Sequence, residues 1–278
     1  MDALELVARR ICAKRGMRFA GQVGEGTFKQ TFKVLNAQDT PLALKLYKSV
    51  GSTGRDQREV KAMLRCQHEN IARILAVEKV ANAGEEHVAI TEEFFLGGTL
   101  SSKGQLSLKA CKAIGAKLIG AVGHLKELGL VHRDIKPDNI MFRADGVTPV
   151  LTDFGVVRDL ADSSMTPTWA PRGPGTPFFA APEQLNNEKS LIDWRTDQFA
   201  IGVTLAFSMY ENHPYKMGRT SGLEILERVA AREQPGDWFV TKAEQDGVPV
   251  LTRMVAPWPI DRYRKPRILG QAWDQQKG

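Results

Sequence analysis

The amino-acid sequence predicts an α+β protein in two parts, a small β-rich part followed by a larger, mainly helical one. Three observations predict it. Segments of strand character crowd the first third, at 18–23, 31–35, 42–47, 74–80 and 87–91, with turn signals at 24–26, 36–40 and 81–84. A double glycine, Gly97-Gly98, then breaks the pattern. Beyond it apolar residues recur at helical spacing. Leu118, Val122 and Leu125 share one face of 108–128, and 199–210 is apolar on every side, the pattern of a helix buried all round.

The elements follow in order. Residues 1–16 form a helical extension, with Leu4, Val7, Ala8 and Ile11 at helical spacing; Asp2 and Glu5 make it unlike a signal peptide. Residues 17–95 carry the strands and one helix over 56–66, where Val60, Met63 and Leu64 repeat. Residues 96–265 form the helical part. Within it the Pro- and Gly-rich stretch 166–177 reads as a long surface loop. Residues 266–278 turn polar and are expected to be a partly disordered tail.

Composition narrows the function classes. The 278 residues are 42% apolar and 25% charged, enough to build a core without disulfides or structural metal. The net charge of +6 comes from Lys and Arg interspersed with Asp and Glu, the pattern of a mixed solvated surface, not of a nucleic-acid-binding tract. Cys12, Cys66 and Cys111 lie far apart without metal-ligand spacing, and are read as small buried hydrophobes in a reducing, cytoplasmic setting. No apolar run approaches the roughly 18 residues of a membrane span.

The chemistry concentrates at His132–Asn139, which reads HRDIKPDN. Phosphoryl transfer needs little covalent help; it needs an oriented hydroxyl and positive charge on the phosphate oxygens. Asp134 can accept the hydroxyl proton, Lys136 can neutralise charge on the transferred group, and Asn139 can hold a metal ion. With His132, Arg133, Asp134 and Asn139 in this order, the segment resembles the catalytic loop of the eukaryotic-type (Hanks-type) serine/threonine protein kinases. The resemblance implies a bilobal protein-kinase-like fold, with a β-sheet N-lobe over 17–95 and a helical C-lobe after it, and ATP between the lobes. Lys136 is the choice of the serine/threonine class, which implies protein substrates with Ser or Thr acceptors.

Further motifs stand in the family's order. Asp153-Phe154-Gly155 implies that Asp153 binds Mg²⁺ (or Mn²⁺) on the ATP phosphates, with Asn139 as second metal ligand. Ala43-Leu44-Lys45, in an apolar strand, implies Lys45 on the α/β-phosphates and Glu59 as the carboxylate that fixes it. The glycine loop, with Val23, Gly24, Glu25, Gly26 and Thr27, implies backbone amides close to phosphate. It departs from the family at Lys29, where a third glycine is usual, and at Thr31, where valine usually covers the adenine. Ala43, Met141 and the hinge residues Glu93 and Phe95 complete the expected ATP contacts. The residue behind the adenine is either Glu92 or, with a bulge in its strand, Thr91.

Ala181-Pro182-Glu183 resembles the end of the activation segment and implies a buried ion pair with Arg262 or Arg264; Asp197 resembles the anchor of the catalytic loop. Arg133 and Arg158 imply a phosphate site for Thr166 or Thr168, with Ser163 and Ser164 as alternatives; Thr176 is read as a substrate-positioning residue. The segment 169–175 stands out as an atypical insertion. Two rival readings stay open: an ATP-binding pseudokinase or scaffold, and a small-molecule phosphotransferase.

Overall fold

The computed structural model describes residues 2–26, 29–47, 63–82, 84–153 and 177–276. Thr27, Glu59, Arg158, the phosphorylation candidates 163–168, Thr176, the 169–175 segment and most of the 56–66 helix lie outside the described residues. The rest falls into two compact units. The first holds the described residues up to His68 and Ala72–Phe95; the second holds Glu69–Ile71 and the described residues from Leu96 onward.

The first unit is an antiparallel sheet of β1 (Arg18–Glu25), β2 (Lys29–Leu35), β3 (Pro41–Tyr47), β4 (Ile74–Asn82) and β5 (Glu85–Glu93), in the order β1-β2-β3-β5-β4. Strand residues alternate between faces, so register decides what each face carries. Phe32 pairs with Leu44 and Val34 with Leu42, while Leu46 pairs with Ala89. These six apolar side chains form one cluster with Leu4, Val7, Ala8, Ile11 and Cys12 of helix α1 (Ala3–Arg15). Each large side chain buried there contributes about 1.5–3 kcal/mol, so α1 is a structural layer of this unit. The other face follows from the same pairing: Lys45 stands opposite Thr31 on one side and Ile90 on the other, and Ala43 stands opposite Glu92.

The second unit is built on α2 (Leu108–Glu127) and α3 (Trp194–Tyr210), the latter buried along nearly its whole length. A two-stranded hairpin, β6 (Ile140–Phe142) with β7 (Pro149–Leu151), follows the His132–Asn139 segment. Residues 69–71 belong here because Ile71 pairs with Leu151 and the Asn70 amide donates to the Pro149 carbonyl at 2.8 Å.

The expected polar, partly disordered tail is corrected. Residues Pro266–Asp274 form helix α4 with Leu269 and Trp273 buried against α2. Trp273 fills a notch left by Gly115, where a Cβ would come within 2.1 Å of the indole, and its Nε1 donates to the Lys112 carbonyl at 2.9 Å. Two apolar residues four apart anchor a segment whose remaining residues are mostly polar or exposed, so composition alone misreads it. Among the described residues no helix is long and apolar enough to cross a membrane.

Candidate active site

The second unit brings Asp134, Lys136 and Asn139 together on the loop before β6. The Lys136 ammonium lies 3.1 and 3.3 Å from the two Asp134 carboxylate oxygens. The Asn139 amide nitrogen donates to the Asp134 carbonyl at 2.7 Å and to its carboxylate at 2.9 Å. That leaves the Asn139 side-chain oxygen as the atom to face a cation. Asp134 and Lys136 are partly exposed, so a reactant can reach them.

The loop is held from beneath. Asp197, on α3, accepts the backbone N–H of His132 and of Arg133, each at 2.8 Å. Burial pushes the Asp197 carboxyl up to about 7, against the lowering effect of those two donors. Arg133 sits at φ +66°, a left-handed conformation uncommon for a side chain of its size, and its carbonyl accepts from Gln184 at 2.8 Å. The His132 ring is completely buried. Its Nε2 lies 3.0 Å from the Thr152 carbonyl, and its Nδ1 faces the Asp134 N–H at 3.4 Å. A carbonyl only accepts and an N–H only donates, so the ring is neutral with its proton on Nε2. Burial accordingly lowers its pKa to about 4.

The same backbone ties reach Asp153. The Thr152 N–H donates to the Asn139 carbonyl at 2.9 Å, and β6–β7 pairing sets Ile140 beside Leu151. Asp153 follows at φ +61°. Met141, half-buried on β6, bridges to Thr99.

In the first unit Lys45 and Ala43 are buried on β3, and Thr31 is half-buried on β2. The β1–β2 turn is closed by Gly26 N–H donating to the Lys29 carbonyl at 2.8 Å. A Cβ at Gly24 or Gly26 would meet nothing closer than 3.7 Å, so packing does not demand glycine at either position. Val23 is half exposed, Glu25 is exposed, and Phe95 is buried. Glu93 accepts the Arg73 N–H on its side chain at 2.9 Å.

The identity of the residue beside Lys45 is settled by register. A bulge does exist, but it falls in β4 between Ile74 and Ala76, leaving β5 regular against β3. Thr91 pairs with Leu44 and faces the α1 layer; Glu92 pairs with Ala43 and shares the Lys45 face. The Glu92 carboxylate forms a buried ion pair with the Lys45 ammonium, with 3% and 6% of the two side chains exposed. Sequence reasoning names Glu92 but not this contact, which depends on a diagonal between strands.

Arg262 is the arginine that meets Glu183. Its guanidinium donates to both carboxylate oxygens at 2.7 and 3.0 Å and to the carbonyls of Arg195, Ala256 and Pro257. Thr196 adds a hydroxyl to Glu183 at 2.9 Å. A second buried histidine of this unit, missed in the sequence, stands nearby. His213 Nε2 lies 2.9 Å from the Phe178 carbonyl, and its Nδ1 accepts the Tyr215 N–H at 3.2 Å, which fixes the backbone just before Ala180-Ala181.

Comparison with known proteins agrees with this architecture. Residues 17–273 match the protein kinase domain family. The chain is similar to a probable serine/threonine-protein kinase of Dictyostelium discoideum (24% identity, covering 94% of this chain and 38% of that protein). It is also similar to the serine/threonine-protein kinase PknL of Mycobacterium tuberculosis (28%; 87% and 61%). It spans less than two thirds of the length of these relatives. Among solved structures, Rad53 residues 1–466 in complex with AMP-PNP align with a TM-score of 0.71 at 20% identity, covering 96% of this chain and 69% of that one. The PknI kinase domain of Mycobacterium tuberculosis aligns at 0.68 and 20%, covering 95% and 96%. With its match across residues 17–273, its antiparallel five-stranded sheet and its helical second unit, the chain belongs to the protein kinase domain family.

Proposed function

We propose that this chain is a serine/threonine protein kinase, transferring the γ-phosphoryl group of ATP to Ser or Thr hydroxyls of protein substrates. The observation that carries the reading is the Asp134–Lys136–Asn139 cluster on a loop anchored by Asp197. Asp134 orients the acceptor hydroxyl and takes its proton at the carboxylate. Lys136, already 3.1 Å from that carboxylate, adds positive charge beside the oxygens of the moving group. Lys45 holds ATP phosphate oxygens. The open positions at Gly24 and Gly26 suit close approach of a nucleotide phosphate to the backbone.

A divalent ion fits the donor set. The Asn139 side-chain oxygen and the Asp153 carboxylate are hard oxygen ligands of the kind Mg²⁺ or Mn²⁺ takes. When bound, such an ion neutralises phosphate charge. The three cysteines are buried, and burial pushes Cys66 up to about 11 and Cys111 up to about 12, so they act as apolar packing; a cytoplasmic location is part of the proposal. Phosphorylation at Thr166 or Thr168 is the proposed regulatory event, with Arg133 as part of the receiving site. Mass spectrometry of active protein lacking phosphate across 163–168 would count against that part alone.

The central test supplies labelled ATP, Mg²⁺ and a generic basic protein to the chain and to Asp134→Asn. Transfer by the first and loss of at least about 10²-fold in the second is expected. Nucleotide binding without transfer would point to a pseudokinase, and transfer to small molecules alone would point to a different phosphotransferase.

A further inference from the structure

Lys45 and Glu92 form a buried ion pair within one sheet. Lys45 stands opposite Ile90, and Glu92 is two residues along the same strand, so both side chains leave the same face of β3 and β5. The whole residues are 5% and 3% exposed. A carboxylate at that depth is held ionised only by a cation or by strong hydrogen bonds. An ammonium is a compact point charge on a flexible stem, able to turn toward a second anion without leaving its strand. In the proposed reaction that second anion is the ATP phosphate chain, which then competes with Glu92 for the ammonium.

We propose that Glu92 is a competitor for phosphate built into the nucleotide site: it positions and neutralises Lys45 when no nucleotide is bound, and it sets the affinity for nucleoside di- and triphosphates by having to yield that contact. The inference rests on the kinase reading above. The magnitude follows from population arithmetic: if Glu92 occupies the ammonium about nine-tenths of the time, phosphate binding is weakened about tenfold. Fixed negative charge beside incoming phosphate weakens it further. Glu92 is therefore a positioning and affinity-setting residue, acting through Lys45.

Glu92→Gln tests this, because the amide keeps shape and an acceptor oxygen while removing the charge. Binding of ATP, ADP and adenosine to the full chain is measured by calorimetry for wild type and variant. Tighter binding of ATP and ADP by roughly 5- to 50-fold, with adenosine changed less than about twofold, is the expected result. KM for ATP falls in parallel. Equal or weaker ATP binding by a folded Glu92→Gln chain overturns the proposal, as does a gain shared equally by adenosine. If Glu92→Gln fails to fold, Glu92→Asp takes its place; its shorter reach loosens the pair, and the same selective gain in ATP and ADP affinity is required. If wild type binds neither ATP nor adenosine, the kinase reading itself fails. If it binds ATP and the variants match it, only the role of Glu92 fails.

Discussion

Two buried ion pairs, one in each unit, show how the same charges serve opposite ends. Glu183–Arg262 in the second unit is a closed network: a planar guanidinium meets both carboxylate oxygens and three carbonyls, and no part of either side chain is exposed. Its five-donor fork has one orientation, so it locks the activation-segment end to α3. Lys45–Glu92 in the first unit joins a flexible ammonium to a carboxylate across two strands. The first pair is suited to permanence and the second to exchange. Buried charge is thus no sign of function by itself; the geometry of the cation decides.

Breaking the closed pair has the largest expected effect. Glu183→Gln leaves Arg262 as a buried guanidinium without its carboxylate, a loss of about 3–5 kcal/mol in urea unfolding. Replacing both partners by apolar residues of similar volume, Glu183→Leu with Arg262→Met, recovers most of it. A double variant as unstable as the single one would mean that the carbonyl ties of Arg262, not the charge pair, hold the segment.

Packing in the second unit comes next. Trp273→Ala empties the notch beside Gly115 and costs about 3–5 kcal/mol. Gly115→Ala forces a Cβ toward the indole and costs about 1–3 kcal/mol. Both are read by denaturant midpoint. An unchanged midpoint in Trp273→Ala would restore the disordered-tail expectation for 266–278.

The two buried histidines of the second unit sharpen the comparison through pH. Burial lowers His132 and His213 to about 4 from 6.5. Each is charged in the unfolded chain below about 6.5 but stays neutral when folded, so its contribution is present above 6.5 and lost as pH falls toward 4. Asp197, raised to about 7 from 3.8, acts in the opposite sense: the folded state keeps a proton that the unfolded state has lost, and its contribution fades as pH rises to 7. Across pH 4–6.5 these three leave a net slope of one histidine. His213→Gln therefore lowers the rise of unfolding free energy over that window by up to about 3 kcal/mol relative to wild type. Parallel curves for the two proteins would show that His213 is charged when folded.

What could be read in the sequence divides along similar lines. The residues proposed for catalysis on this loop lie close together in the chain, so His132–Asn139 is legible without a fold. The strands are legible because alternation is local, although the ladders run on to Glu25, Asn82 and Glu93 where pairing continues. Helix α4 is not legible, because burial of Trp273 depends on Gly115, far away in the chain. The Lys45–Glu92 contact hides for the same reason. It requires knowing which strand takes the bulge, and a shift of one residue would have presented Thr91 instead.

The smallest stability effect carries the most discriminating comparison. Glu92→Gln removes the same charge as Glu183→Gln, yet a loss of only about 1 kcal/mol is expected, since the amide oxygen still accepts from Lys45 and the flexible stem can adjust. Arg262, fixed by three carbonyls, has no such freedom. Thermal unfolding of the two variants side by side measures the ratio. Equal losses would mean that Lys45 is as rigidly built in as Arg262, and an ammonium so held could not be shared with phosphate. A loss at Glu92 several-fold smaller than at Glu183 is the signature of a charge kept for exchange.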